Sequence, residues 1–192
     1  MELSMQSDPW VFVRTRHDFA ADEIISALQK EIRRNHAENA ALIAYEMFTT
    51  SPELEAMLWR RLLVISVEDV GFGNPQAPVV INALFQMYKQ IDKLQERGLF
   101  AIHAVRYLAS STKDRSSDEM YSWIRHSVEE GGLLPTIPDY ALDMHTARGS
   151  QSGRDRRYFL EEAANVSPEL ENRQDEYLKR LLAMLNGPLA QV

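Results

Sequence analysis

Cysteine is absent from the 192 residues, which excludes disulfides and thiolate metal sites. No apolar run approaches the roughly 18–20 residues needed to cross a bilayer. The opening "MELSMQSDPWVF" has no basic segment followed by an apolar core, so neither a membrane anchor nor a secretory signal is expected. Positive charge is scarce as well: 21 Lys and Arg stand against 28 Asp and Glu, a net −7. That balance excludes a surface given over to phosphate backbones and leaves room only for a local basic patch. No G-x-x-x-x-G-K-[ST] stretch occurs, so ATP hydrolysis by a phosphate loop is not expected. Period-two alternation is almost missing; its nearest approach, "WVFVRT" from Trp10 to Thr15, reads as a short extended arm.

What is present is helical. Hydrophobic residues make up 45% and charged residues 26%, enough for one globular domain, or one with an appendage. Ile24, Ile25, Leu28 and Ile32 recur at spacings of three and four, as do Ala41, Leu42, Tyr45 and Phe48, the stripes of amphipathic helices. Ser51-Pro52 reads as a cap and first turn, with Glu53 and Glu55 at the positive end of the dipole. Asn74-Pro75 predicts another start, for a helix through Val80, Leu84, Met87, Ile91 and Leu94, which Gly98 separates from "LFAIHAVRYLASS". Ser116 and Glu119 have capping-box spacing, and Gly131-Gly132 ends that helix. A last helix is expected from Ser167-Pro168 to Asn186-Gly187-Pro188, burying Tyr177, Leu178, Leu181, Leu182 and Leu185. The expectation is an all-α, compact array of about seven helices. It comprises an N-terminal arm (1–20), a helical domain (21–142) and a basic loop with C-terminal helices (143–192).

The stretch "RRLLVISVEDVGFGNPQAP", Arg60 to Pro78, is the most informative. Leu58, Leu62 and Ile65 line one face of a helix, and Trp59, Leu63 and Val67 another, so the element is expected to be surrounded by neighbours. Charges on such a helix are costly to bury unless paired. Arg60 or Arg61 is therefore expected to pair with acids of a neighbouring helix, and Glu68 or Asp69 to accept from backbone amides or another cation. Together these four form a structural polar latch. Gly71 is expected to end the helix with a left-handed residue.

This stretch, with "ISALQKEIRRNHAENAALIAYEMF" before it and "AVRYLASSTKD" and "LLPTIPDYALD" after it, resembles the C-terminal region of RarA/MgsA-type AAA+ ATPases over residues 22 to 142. The resemblance implies a helical oligomerisation domain related to clamp-loader collars. It further implies a homo-oligomer, a tetramer in the family, and a role beside DNA-processing proteins at replication forks. With no phosphate loop present, the expectation is a chain without the ATPase module, noncatalytic and cytoplasmic.

From Asp143 onward the likeness fades, and Arg148, Arg154, Arg156 and Arg157 gather around the lone acid Asp155. Arginine forks match phosphate oxygens, and Gly149 and Gly153 would let a backbone approach a ligand. DNA, RNA or a phosphate-bearing ligand docked here is the alternative function; ion pairing with Glu129-Glu130 or Glu161-Glu162 is the bland reading. A second alternative is a small-molecule enzyme using His145 and Asp143, with Asp139 completing a polar site. No metal-ligand spacing accompanies these residues, so neither metal nor cofactor is expected. His103 and His126 are expected to be partly buried, Trp59 and Trp123 to pack in the core, and Trp10 and Phe12 either to pack or to anchor a partner.

Overall fold

The structure is a computed structural model that describes residues 8–186. Among them it is all-helical, with one isolated antiparallel bridge, Arg14 to Ala20, in place of any sheet. The chain divides into two compact units, Met1–Gly132 and Leu133–Val192.

Among its described residues the first unit holds six α-helices: α1 (Ala21–Arg33), α2 (Ala37–Thr50), α3 (Pro52–Ile65), α4 (Ala77–Tyr88), α5 (Leu94–Ser110) and α6 (Ser116–Glu129). The sequence stripes become the core. Ala21, Ile24, Leu28 and Ile32 of α1 are buried against α2 and α3, and α2 also packs on α5. Between α1 and α2 the chain turns at Asn35, φ 60°, a left-handed position that asparagine tolerates after a helix end. Ser51 caps α3 by accepting from Leu54 N at 3.2 Å, with Pro52 at the start of the helix. In α5 the buried stripe is small and close-packed: Ala101, Ala104, Val105 and Leu108. Trp59 is buried beside Phe85 and Tyr88, ring centroids 5.3 and 4.8 Å away. Arg97 bridges Glu55 and the Tyr88 hydroxyl at 2.7 Å each.

Several expectations are corrected here. The long helix from Asn74 breaks at Lys89–Lys93 rather than at Gly98, which lies inside α5. A Cβ at Gly98 would sit 3.1 Å from Phe48 Cε1, so this glycine lets two helices approach and interrupts nothing. Asn74 does not cap α4, whose first residue is Ala77; its amide instead donates to the Tyr107 hydroxyl and Ser111 Oγ. Ser116 forms no capping box, because the residue ahead of α6 is Arg115, whose side chain is held elsewhere. Residues 9–12 of the arm form a 3₁₀ turn, Pro9–Phe12, not an extended strand. Trp10 and Val13 pack on the core from it, while Phe12 is exposed. Trp123 is 58% exposed, and α6 buries no residue at all. His103 and His126 are exposed.

The second unit contains a 3₁₀ turn at Asp139–Ala141 and the short helices α7 (Ala147–Gln151), α8 (Arg156–Tyr158) and α9 (Glu176–Leu185). A π turn, Phe159–Ala163, continues α8. Thr146 caps α7 through Gly149 N, and Asp155 caps α8 through Tyr158 N, both at 3.0 Å. The last helix begins at Glu176, not Ser167, and buries none of its residues. Leu178, Leu182 and Leu185 are half-buried, and Tyr177 and Leu181 are exposed. The Gly187-Pro188 stop lies outside the described residues.

Candidate functional site

Two features of the first unit meet at α3. The first is the polar latch. Past Ile65 the helix widens into a π turn, Ser66–Val70, where the backbone bond reaches one residue further than in an α-helix. Asp69 is fully buried there. Its Oδ1 accepts from Arg33 Nε at 2.5 Å and from Arg115 Nη1 at 2.6 Å, and its Oδ2 accepts from Gln29 Nε2 at 2.8 Å. Glu68 accepts from Gln29 at 2.6 Å and lies 3.5–3.7 Å from Arg33, Arg61 and Arg115. Arg61 donates to Gln29 Oε1, and Arg115 also pairs with Asp118 at 2.5 Å.

Three guanidinium groups thus face three carboxylates. A buried carboxylate is tolerated where its lone pairs are filled by charged donors. Burial pulls the Arg115 pKa down, but its bond to Asp69 and the charges of Asp69, Asp118 and Glu68 outweigh that and raise it. Of the predicted latch residues, Arg61, Glu68 and Asp69 come together, while Arg60 stays exposed and outside. The cations for Asp69 come from α1 and from the residue before α6, and Arg61 reaches an acid of its own helix rather than a neighbour. Gly71, φ 48°, ends the turn as expected.

The second feature is the outer side of α3, which corrects the expectation of a helix surrounded by neighbours. Leu58, Leu62 and Ile65 are buried, but Val64 and Val67 are exposed, Val67 by 50%, and Phe72 beyond them by 73%. One end of this face opens on a cavity of about 550 Å³ lined by Trp10, Val13, Met57 and Arg60. The other end meets a cavity of about 180 Å³ lined by Val67, Phe72, Pro75 and Pro78.

In the second unit the arginines are divided. Arg154 Nη2 donates to both carboxylate oxygens of Asp139 at 2.6 and 2.7 Å, and its Nη1 donates to Leu142 O. Arg157 pairs with Glu161 at 3.2 Å and donates to Asn186. Arg148 and Arg156 are exposed. Gly149 is no ligand gap, since a Cβ there would lie 2.0 Å from Asp143 O. Asp143 accepts from His145 N and meets His145 Nδ1, both at 3.0 Å, contacts that lower its pKa. The His145 ring stands edge-on to Phe159. Asp139, occupied by Arg154, does not join His145, and among the described residues no group of three His, Asp or Glu side chains is placed to hold a metal. No helix among them is long and apolar enough to cross a membrane.

The sequence model of the family described as MgsA AAA+ ATPase C terminal matches residues 36–180, so the likeness does not fade at residue 143 but takes in the arginine segment. The chain belongs to this family. Replication-associated recombination protein A of Bacillus subtilis is 35% identical over 146 residues, covering 72% of this chain and 32% of that protein. The protein of the same name from Haemophilus influenzae is 28% identical over 123 residues, 64% of this chain and 26% of its own. That from Escherichia coli K12 is 28% identical over 148 residues, 73% and 31%. This chain therefore spans between about a quarter and a third of the length of these relatives. The family stretch includes α3, Arg61, Glu68, Asp69 and Arg115. Sequence reasoning missed Gln29, Arg33 and Arg115. For the first two a signal existed, their i, i+4 spacing on one side of α1.

Proposed function

We propose that this chain is a noncatalytic assembly domain that joins copies of a replication-associated protein to one another. The observation that carries the reading is the outer face of α3. Val64 of α3, Val67 of the π turn that continues it and Phe72 after Gly71 are exposed along a face that meets a cavity at each end, and a second copy laid on that face would cover them. The charged latch beneath holds the helix from within, so the face presented is rigid. Membership of a family named for the C-terminal part of an AAA+ ATPase supports the same reading. So does the replication and recombination named in its relatives, which favours work beside DNA in the cytoplasm.

The experiment is sedimentation velocity on the full chain and on Val64→Glu/Val67→Glu. The parent is expected to sediment as an oligomer, a tetramer on the family resemblance, and the variant as a folded monomer. A parent that stays monomeric at high concentration removes the proposal. The two other readings have less support. A phosphate contact through Arg148, Arg154, Arg156 and Arg157 has to release Arg154 and Arg157 from their pairs, and chemistry at His145 has Asp143 alone beside it.

A further inference from the structure

A groove of about 360 Å³ runs beside α5, lined by Ala37, His103, Arg106, Tyr107 and Ser110. We propose that it is a phosphate-binding site for the phosphate group of a nucleotide or of a nucleic-acid strand. Residues 103, 106, 107 and 110 follow spacings of three and four, so they form one stripe along α5, beside the stripe of Ala101, Ala104, Val105 and Leu108 that enters the core. The lining contains an arginine, an imidazole and two hydroxyls and no carboxylate; Glu38, which follows Ala37 in α2, is exposed and lies outside it.

The state of each polar group decides what the groove suits. Arg33, Arg61, Arg97 and Arg115 of the same unit are engaged by carboxylates, whereas Arg106, like Arg14, Arg60 and Arg125, has no ion pair among the described residues. Among the described residues, Arg106 and His103 have neither an ion pair nor a side-chain hydrogen bond. In a chain of net charge −7, an unpaired guanidinium in a groove without carboxylates suits an anion. The Tyr107 hydroxyl accepts from Asn74 Nδ2 at 2.9 Å, which leaves its own proton free to point at a ligand. Ser110 donates to the Tyr107 carbonyl at 3.2 Å and lines the groove without adding a donor. A guanidinium fork, an imidazole N–H and a phenolic O–H along one stripe match the several oxygens of a phosphate better than a single carboxylate. The site is distinct from the arginines at 148–157.

The test uses the full chain with three probes at low salt: inorganic phosphate, ADP and a short fluorescein-labelled oligothymidylate. In the unmodified protein the imidazole signals of His103, one of five histidines, are expected to shift with at least one probe. Arg106→Ala is expected to weaken that probe about tenfold or more, as loss of a charged hydrogen bond does, while Tm and sedimentation stay those of the parent. A response to the oligothymidylate alone identifies a nucleic-acid strand. Its affinity would then fall with salt, and the variant would show a slope shallower by about 0.7 for the lost contact. A response to ADP that exceeds that to phosphate identifies a nucleotide. Silence of His103 towards all three probes, or Arg106→Ala binding as tightly as the parent, overturns the proposal, and the first readout needs no variant to fold.

Discussion

Asp69 shows what a single side chain carries in this fold. Removing its charge leaves Arg33 and Arg115 facing a buried neutral group and Gln29 with Glu68 as its one carboxylate acceptor. Asp69→Asn is expected to cost about 3 kcal/mol, the low end for breaking a buried pair because the arginines are partly solvated; urea unfolding would measure it. Two residues on, Gly71 has φ 48°, and a Cβ there would lie 2.4 Å from the Asp114 carbonyl oxygen. Gly71→Ala is expected to destabilise by about 1–3 kcal/mol through strain at a positive φ, with m unchanged in the same titration. That Glu68 or Asp69 needs a donor, a backbone amide or a cation, was legible in the sequence, because acids on an apolar helix are costly to bury. Which cation was not, since Arg33 and Arg115 lie 36 and 46 residues from Asp69. No local pattern encodes a meeting at that distance.

At the scale of elements, the segment before α1 is held to α2 by one carboxylate. Glu46 accepts from His17 N at 3.1 Å, meets His17 Nδ1 at 2.7 Å and lies 3.6 Å from Arg16. Burial pushes its pKa up, but bonds from Thr15 and His17 outweigh this and lower it from 4.5. A carboxylate with a depressed pKa stabilises the fold above the ordinary value, and that contribution is lost as pH falls through the folded one. The stability difference between the parent and Glu46→Gln is therefore expected to be constant above about pH 4.5 and to shrink towards zero in acid; thermal melts across pH 2–7 would show it. The sequence announced α1, α2 and α3, whose stripes and Ser51 cap agree with tertiary packing. It misled at Gly98, where a helix breaker by composition is a contact point for Phe48. It misled again at Lys89–Lys93, where the chain breaks with neither glycine nor proline to mark it. Trp123 looked like core by its apolar neighbours, yet α6 touches the rest of its unit mainly at the π turn.

For the whole molecule, the two units differ in what they bury. The first encloses a continuous core from Ala21 to Leu108. In the second, Asp143 and Gly149 are the buried members among the described residues, too little apolar area for much stability of its own. Amides in 133–186 are expected to exchange far faster than those of α2, α3 and α5, and denaturation followed by probes in each unit is expected to give two midpoints, the second unit opening first. A single shared transition would contradict this. The latch carries a consequence for synthesis. Its last guanidinium, Arg115, is translated well after Asp69, so a nascent chain halted at residue 114 holds its buried acid with one cation too few. The first unit reaches its final ion balance only when the lead into α6 leaves the ribosome, and a protein truncated just before Arg115 should melt at a lower temperature than one ending at residue 132.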